Sequence, residues 1–173
     1  MGFRFETAYD QKAITAMAKA LRKTIRKKRS RRSHILGYFV LVLALLLTLP
    51  LGGEKLEVDF RTIITWLAAL CILFTFIFED RLNAYVARKR MLPGLQKAVV
   101  TFSEETYFSE TEVGNSEFKY DNILMLAETE DYFVFVFSQS HAQVYDKKTI
   151  EGGTVEDFRI FISRITGKEI KSI

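Results

Sequence analysis

Two long runs of this chain carry no charge at all, and they limit what it can fold into. Ile35 to Gly53 reads ILGYFVLVLALLLTLPLGG, and Thr62 to Phe78 reads TIITWLAALCILFTFIF. As helices they reach roughly 25 to 29 Å, close to the hydrocarbon thickness of a bilayer. Neither has the polar stripe of an amphipathic surface helix. A chain of 173 residues is too small to wrap two all-apolar helices on every side. The segment ahead of Ile35 is long, a second apolar run follows soon after, and no small-residue cleavage site ends the first, so a secretory signal is not expected there. Transmembrane spans are expected at residues 35–53 and 61–79, within a helical hairpin over 1–95.

The flanking charges set an orientation. Lys19, Arg22, Lys23, Arg26, Lys27, Lys28, Arg29, Arg31 and Arg32 precede the first run, and Arg81, Arg88, Lys89 and Arg90 follow the second. Between them stand only Lys55 and Arg61, against Glu54, Glu57 and Asp59. Positive flanks stay in the cytoplasm, so a multi-pass protein of the cell membrane with both termini cytoplasmic is expected. Pro50-Leu51-Gly52-Gly53 should end the first span, and Tyr38 and Trp66 suit the interfaces. Cys71, the single cysteine, lies inside the second run and reads as a small apolar residue.

Apolar periodicity continues outside the spans. Ile14, Met17, Ala18, Leu21 and Ile25 fall on one helical face, with Thr7 or Asp10 as a cap. No Gly or Pro interrupts residues 10–36, so this helix is expected to run unbroken into the first span. Leu82, Tyr85 and Val86 form a second stripe, stopped by Pro93-Gly94, and the two stripes are expected to meet. The cluster Arg22, Lys23, Arg26, Lys27, Lys28, Arg29, Arg31 and Arg32 anchors the first helix and suits anionic lipid headgroups. It abuts the membrane without any base-reading motif, so nucleic acid is not an expected partner.

From Gln96 the period changes to that of strands. Candidates are Ala98–Phe102, Thr106–Glu110, Phe118–Leu126, Tyr132–Phe137 and Ala142–Tyr145, with turns at Ser103-Glu104-Glu105, Gly114-Asn115-Ser116, Thr129-Glu130-Asp131 and Ser138–His141. Every position of Tyr132–Phe137 is apolar, so both faces should be covered. Thr154 with Asp157 forms a variant capping box, Phe158, Phe161, Ile162 and Ile165 make one helical face, and Gly167 ends it. Phe3, Phe5 and Thr7 alternate with Arg4 and Glu6, the pattern of a further short strand. The expected architecture is an α+β membrane protein: a two-helix transmembrane hairpin with cytoplasmic helical extensions, plus a small antiparallel sheet closed by a C-terminal helix over 96–173. This second part is acidic, with fourteen Asp and Glu against eight Lys and Arg, and suits a basic partner better than an anionic one.

The runs Phe118-Lys119-Tyr120-Asp121-Asn122-Ile123, Glu128-Thr129-Glu130-Asp131-Tyr132-Phe133-Val134 and Ala142-Gln143-Val144-Tyr145-Asp146-Lys147-Lys148, with Phe158 in the last helix and the opening Phe3-Arg4-Phe5-Glu6-Thr7, resemble the YcxB-like family. That resemblance implies two membrane helices followed by a domain similar to bacterial pleckstrin-homology-like (PH-like) domains. It carries no activity. Where the family has a proline before the lysine near position 147, Asp146 stands here.

The chemistry of an active site is not visible. His34 and His141 are far apart and read as solvated residues, and zinc wants three or four close ligands. Phosphate loops and hydrolase or metalloprotease motifs do not occur. Gly152-Gly153 reads as a plain helix entry and Glu128, Glu130 and Asp131 as a solvated turn. Lys147 and Lys148 are candidate headgroup or partner contacts. The expectation is a non-enzymatic protein without cofactor or metal, whose partners are the lipid bilayer and a protein or its own copy. The alternatives are a lipid-headgroup sensor and an accessory or immunity-type factor of a transport system, which differs only in its partner.

Overall fold

The computed structural model describes residues 2–48, 59–91 and 93–173. Strand β1 (Phe3–Ala8) opens the chain and alternates as expected, with Phe3, Phe5 and Thr7 buried. Four helices follow: α1 (Gln11–Lys23), α2 (Lys27–Thr48), α3 (Phe60–Ile77) and α4 (Glu79–Lys89). The chain then returns to β2 (Lys97–Phe102), which pairs antiparallel with β1 from Phe3↔Phe102 to Ala8↔Lys97. The helices are therefore an insertion between two neighbouring strands of one sheet. The expected stop at Pro50–Gly53 and the charges Glu54, Lys55 and Glu57 lie outside the described residues.

Asp10, rather than Thr7, caps α1, its Oδ1 accepting from Ala13 N at 2.8 Å. The helix does not run unbroken into α2. The Thr24 hydroxyl donates to Ala20 O at 2.6 Å, and Arg26 N donates five residues back to Leu21 O at 2.9 Å. A polar side chain bonding to the preceding turn and a widened hydrogen bond supply the bend that Gly or Pro would otherwise provide.

α2 and α3 are long and apolar enough to cross a membrane. Most of their apolar side chains are exposed, among them Leu36, Phe39, Leu47, Ile63, Leu67 and Leu70. The two helices approach closely at Gly37, where an added Cβ would overlap the Phe76 ring. Asp59 caps α3, with Oδ1 2.8 Å from Thr62 N.

Two four-stranded sheets form, not one small sheet. The first is ordered β1-β2-β3-β4, with β3 at Thr106–Thr111 and β4 at Gly114–Lys119. The second is ordered β7-β6-β5-β8, with β5 at Met125–Glu128, β6 at Tyr132–Val136, β7 at Ala142–Asp146 and β8 at Ile170–Ser172. β8 runs parallel to β5, and the other pairings are antiparallel. The expected strand Phe118–Leu126 is divided. A 3-10 turn at Tyr120–Asn122 carries the chain from one sheet to the other. It is pinned by the buried Tyr120, whose hydroxyl donates to Ser103 O at 2.5 Å. The expected turn at Gly114–Ser116 lies in β4 instead; the reversal falls at Glu112-Val113.

Helix α5 (Val155–Thr166) has the expected capping box between Thr154 and Asp157, and Gly167 ends it in the left-handed region at φ 63°. Its Phe158 ring packs against Phe5 (4.7 Å between centroids), Phe102 (5.0 Å) and Phe133 (5.0 Å) in the aromatic core. The all-apolar strand β6 has both faces covered. Phe133 and Phe135 point into this core, whereas Tyr132, Val134 and Val136 meet α1. Ala13, Ala16 and Ala20 supply that contact, since small side chains let the helix lie close on the sheet.

Candidate functional site

The residues singled out by charge fall into separate groups, one where α1, α2 and α4 meet and another between the second sheet and α5. α1 packs along α4, but not through the stripe expected on α4. On α4 the buried residue is Ala84, while Leu82, Tyr85 and Val86 are exposed. A charge pair fixes this phase. The Arg22 guanidinium donates from Nε and one terminal nitrogen to the two oxygens of Asp80, both at 2.7 Å. Such a bidentate fork specifies orientation as well as contributing energy. Gln11 Nε2 adds a bond to Arg81 O at 3.2 Å.

Beside it, Glu79 collects a second set. Its Oε2 lies 2.9 Å from His34 Nε2 and 3.3 Å from Ser30 Oγ. The His34 ring also rests against Phe76, 4.7 Å between centroids. His34 is therefore a bridge between α2 and α4 rather than a solvated residue. Its partner Glu79 is 45 positions away, a separation that no local pattern reveals.

The basic cluster is sorted into distinct roles. Arg22 is spent on Asp80, and Arg26 Nε donates to Gln139 O at 2.5 Å, tying the bend to the second sheet. The carbonyl of Lys23 accepts from Lys171 Nζ at 3.1 Å. Lys27, Lys28, Arg29, Arg31 and Arg32 stand exposed on the first turns of α2.

Lys147 and Lys148 also part company. The Lys147 side chain is only 12% exposed, and its Nζ lies 2.5 Å from Glu128 Oε1 and 2.6 Å from Thr129 O. Arg159 of α5 reaches the same carboxylate, with Nε 3.1 Å from Oε2 and a terminal nitrogen 2.7 Å from Oε1. Lys148 is exposed, 3.6 Å from Asp131. Asp146 accepts from Lys148 N at 2.9 Å and so starts the 3-10 turn Lys147–Thr149 without proline. Glu128 is not a solvated turn residue; it joins β5, the turn after β7 and α5. Burial pushes its carboxyl up, and the bonds from Arg159 and Lys147 overcome that push, so its pKa stands below the ordinary glutamate value.

Residues 102–162 match the family model of YcxB-like proteins.

The YcxB-like segment runs from the last residue of β2 into α5. It contains Glu128, Lys147 and Arg159, the Tyr120 turn and the core ring Phe158. It also contains Gln143, buried in β7, whose Oε1 accepts from the hydroxyls of Tyr107 (3.1 Å) and Tyr145 (2.7 Å). Burial raises the pKa of both phenols, so they remain neutral donors. The YcxB-like segment does not include β1 or the four helices. No curated protein and no solved structure matches the chain. Among the described residues, no group of three or more His, Cys, Asp or Glu could hold a metal ion. At Gly152, φ is 92° and an added Cβ would strike Gly2 O, while Thr154 N is taken by Asp157 Oδ2 at 2.9 Å. Thr154 N is therefore engaged within the capping box.

The Glu128 cluster makes a direct prediction. Glu128→Gln keeps the volume but leaves two cations facing a neutral amide, and costs about 1–3 kcal/mol. A carboxyl whose folded pKa is lowered stabilises fully above its unfolded value of about 4.3. That contribution disappears as pH falls through the folded value. Denaturant midpoints measured down through pH 4.3 should therefore fall more steeply for the wild type than for Glu128→Gln. Parallel curves would contradict the cluster's role.

Proposed function

We propose that the chain is a non-enzymatic integral protein of the cell membrane, both ends cytoplasmic, whose PH-like domain is brought beside that of a second copy at the inner face by pairing of helix α4. The exposed apolar surface of α2 and α3 supports insertion. The pairing of β1 with β2 supports the topology: two strands of one sheet lie on one side, so the chain between them crosses an even number of times. Seven strands, four in one sheet and β5–β7 in the other, followed by α5, support the PH-like reading.

The observation that carries the association is the stripe Leu82, Tyr85 and Val86. It is exposed on a helix that follows the span, beyond the segment that lipid would cover. Its spacing continues that of Leu70, Phe74 and Phe78, so one apolar line extends from the bilayer toward the cytoplasm. A parallel second copy presents the same line and covers both halves at once.

The test is oxidative crosslinking in native membranes, in a Cys71→Ala background. Tyr85→Cys should give a disulfide-linked dimer. Ala87→Cys, exposed on another face of α4, should give little. Monomer alone at Tyr85→Cys and at neighbouring positions of the stripe would overturn the reading.

A further inference from the structure

The first turns of α2 form one wall of an open cleft of about 590 Å³. Lys27, Ser30, Arg31, His34, Ile35 and Tyr38 line that wall at helical spacing. The end of α1 contributes Lys23, and β8 contributes Lys171. The site is thus built from three separate elements. Lys171 is held over it by its bond to the Lys23 carbonyl. Among the described residues, no Asp or Glu carboxylate stands within 4.0 Å of the side-chain nitrogens of Lys23, Lys27, Arg31 or Lys171. Glu79 lies behind the wall, engaged by His34 and Ser30. The polarity is graded along α2. Cations occupy the end nearest α1, and about 10 Å further on, at the helical rise, Tyr38 lies within the uncharged run.

We infer that this cleft binds one anionic phospholipid, its phosphate among Lys27, Arg31, Lys23 and Lys171 and its acyl chains along Ile35 and Tyr38. The inference rests on α2 being a membrane span. A basic pocket at the cytoplasmic end of a span attracts such headgroups, at about 1 kcal/mol per basic residue. A free phosphate would use only the cationic end; the apolar end favours a lipid. Recognition would then be concentrated at the joint of α1, α2 and β8, not spread over the acidic sheet domain.

The test uses the full chain in mild detergent and native mass spectrometry, with phosphatidylglycerol, phosphatidylcholine and inorganic phosphate as separate probes. The wild type should retain phosphatidylglycerol in preference to phosphatidylcholine. Lys27→Gln/Arg31→Gln should lower that retention on the order of tenfold. Arg29→Gln/Arg32→Gln removes equal charge from residues outside the cleft and should change it less than about twofold. Lys171→Gln, on a different element, should lower it several-fold and checks the site independently of α2. Equal losses for the two double variants would mean diffuse charge and overturn the site. Displacement of the lipid by millimolar inorganic phosphate would do the same. Carbonate extraction of the wild type separates the two levels: release from the membrane defeats the span, whereas a resistant protein without phosphatidylglycerol preference defeats the cleft alone.

Discussion

Phe5→Ala is expected to destabilise the sheet unit by about 3–5 kcal/mol, the cost of emptying a well-packed aromatic site. Phe5 is completely buried and touches rings from four later elements: Phe102 of β2, Phe133 of β6, Tyr145 of β7 and Phe158 of α5. None of these neighbours lies within 90 positions of it in the sequence. Since small domains hold about 5–15 kcal/mol in all, this one truncation removes a large share. Phe5→Leu, which keeps most of the volume, should cost less. Thermal unfolding of the full chain in detergent, read by protection of residues 96–173 from protease, measures both. An unchanged midpoint for Phe5→Ala would mean that β1 is not part of the core.

Leu67→Arg is expected to oppose insertion of α3 by about 2.5–3.5 kcal/mol, the penalty for a cation near the middle of a span. Leu67 lies near the middle of Phe60–Ile77 and is 60% exposed. In a water-soluble protein such a position would accept arginine at little cost. The carbonate-resistant fraction should therefore drop for Leu67→Arg and hold for Leu67→Ala. Wild-type protein that remains in solution without detergent would remove the membrane reading altogether.

Features set by nearest neighbours were legible in the sequence. The capping box at Thr154 and Asp157, the alternation in β1, the apolar runs and the two-sided burial of β6 all follow from spacings of a few residues. The missed features depend on partners far away. Leu82, Tyr85 and Val86 outnumber the other apolar residues of α4, yet Arg22 on Asp80 and the small side chain of Ala84 decide which face turns inward. Lys147 read as a surface cation because Glu128 and Arg159 reach it only in the folded state. The bend at Thr24 carries none of the usual breakers. The cleft could not be read from the basic cluster alone, because its third wall, Lys171, comes from a strand of three residues that no periodicity announces.

The placement of the helices between β1 and β2 imposes an order of events on biosynthesis. Phe3 and Phe5 leave the ribosome well before their hydrogen-bonding partner, which ends at Phe102 and emerges only after both hydrophobic helices have been made. For that interval the leading strand is an unpaired edge with two bare aromatic rings. On the proposed membrane reading, slow insertion of α2 and α3 would lengthen that interval and leave β1 open to chaperones or to the wrong sheet.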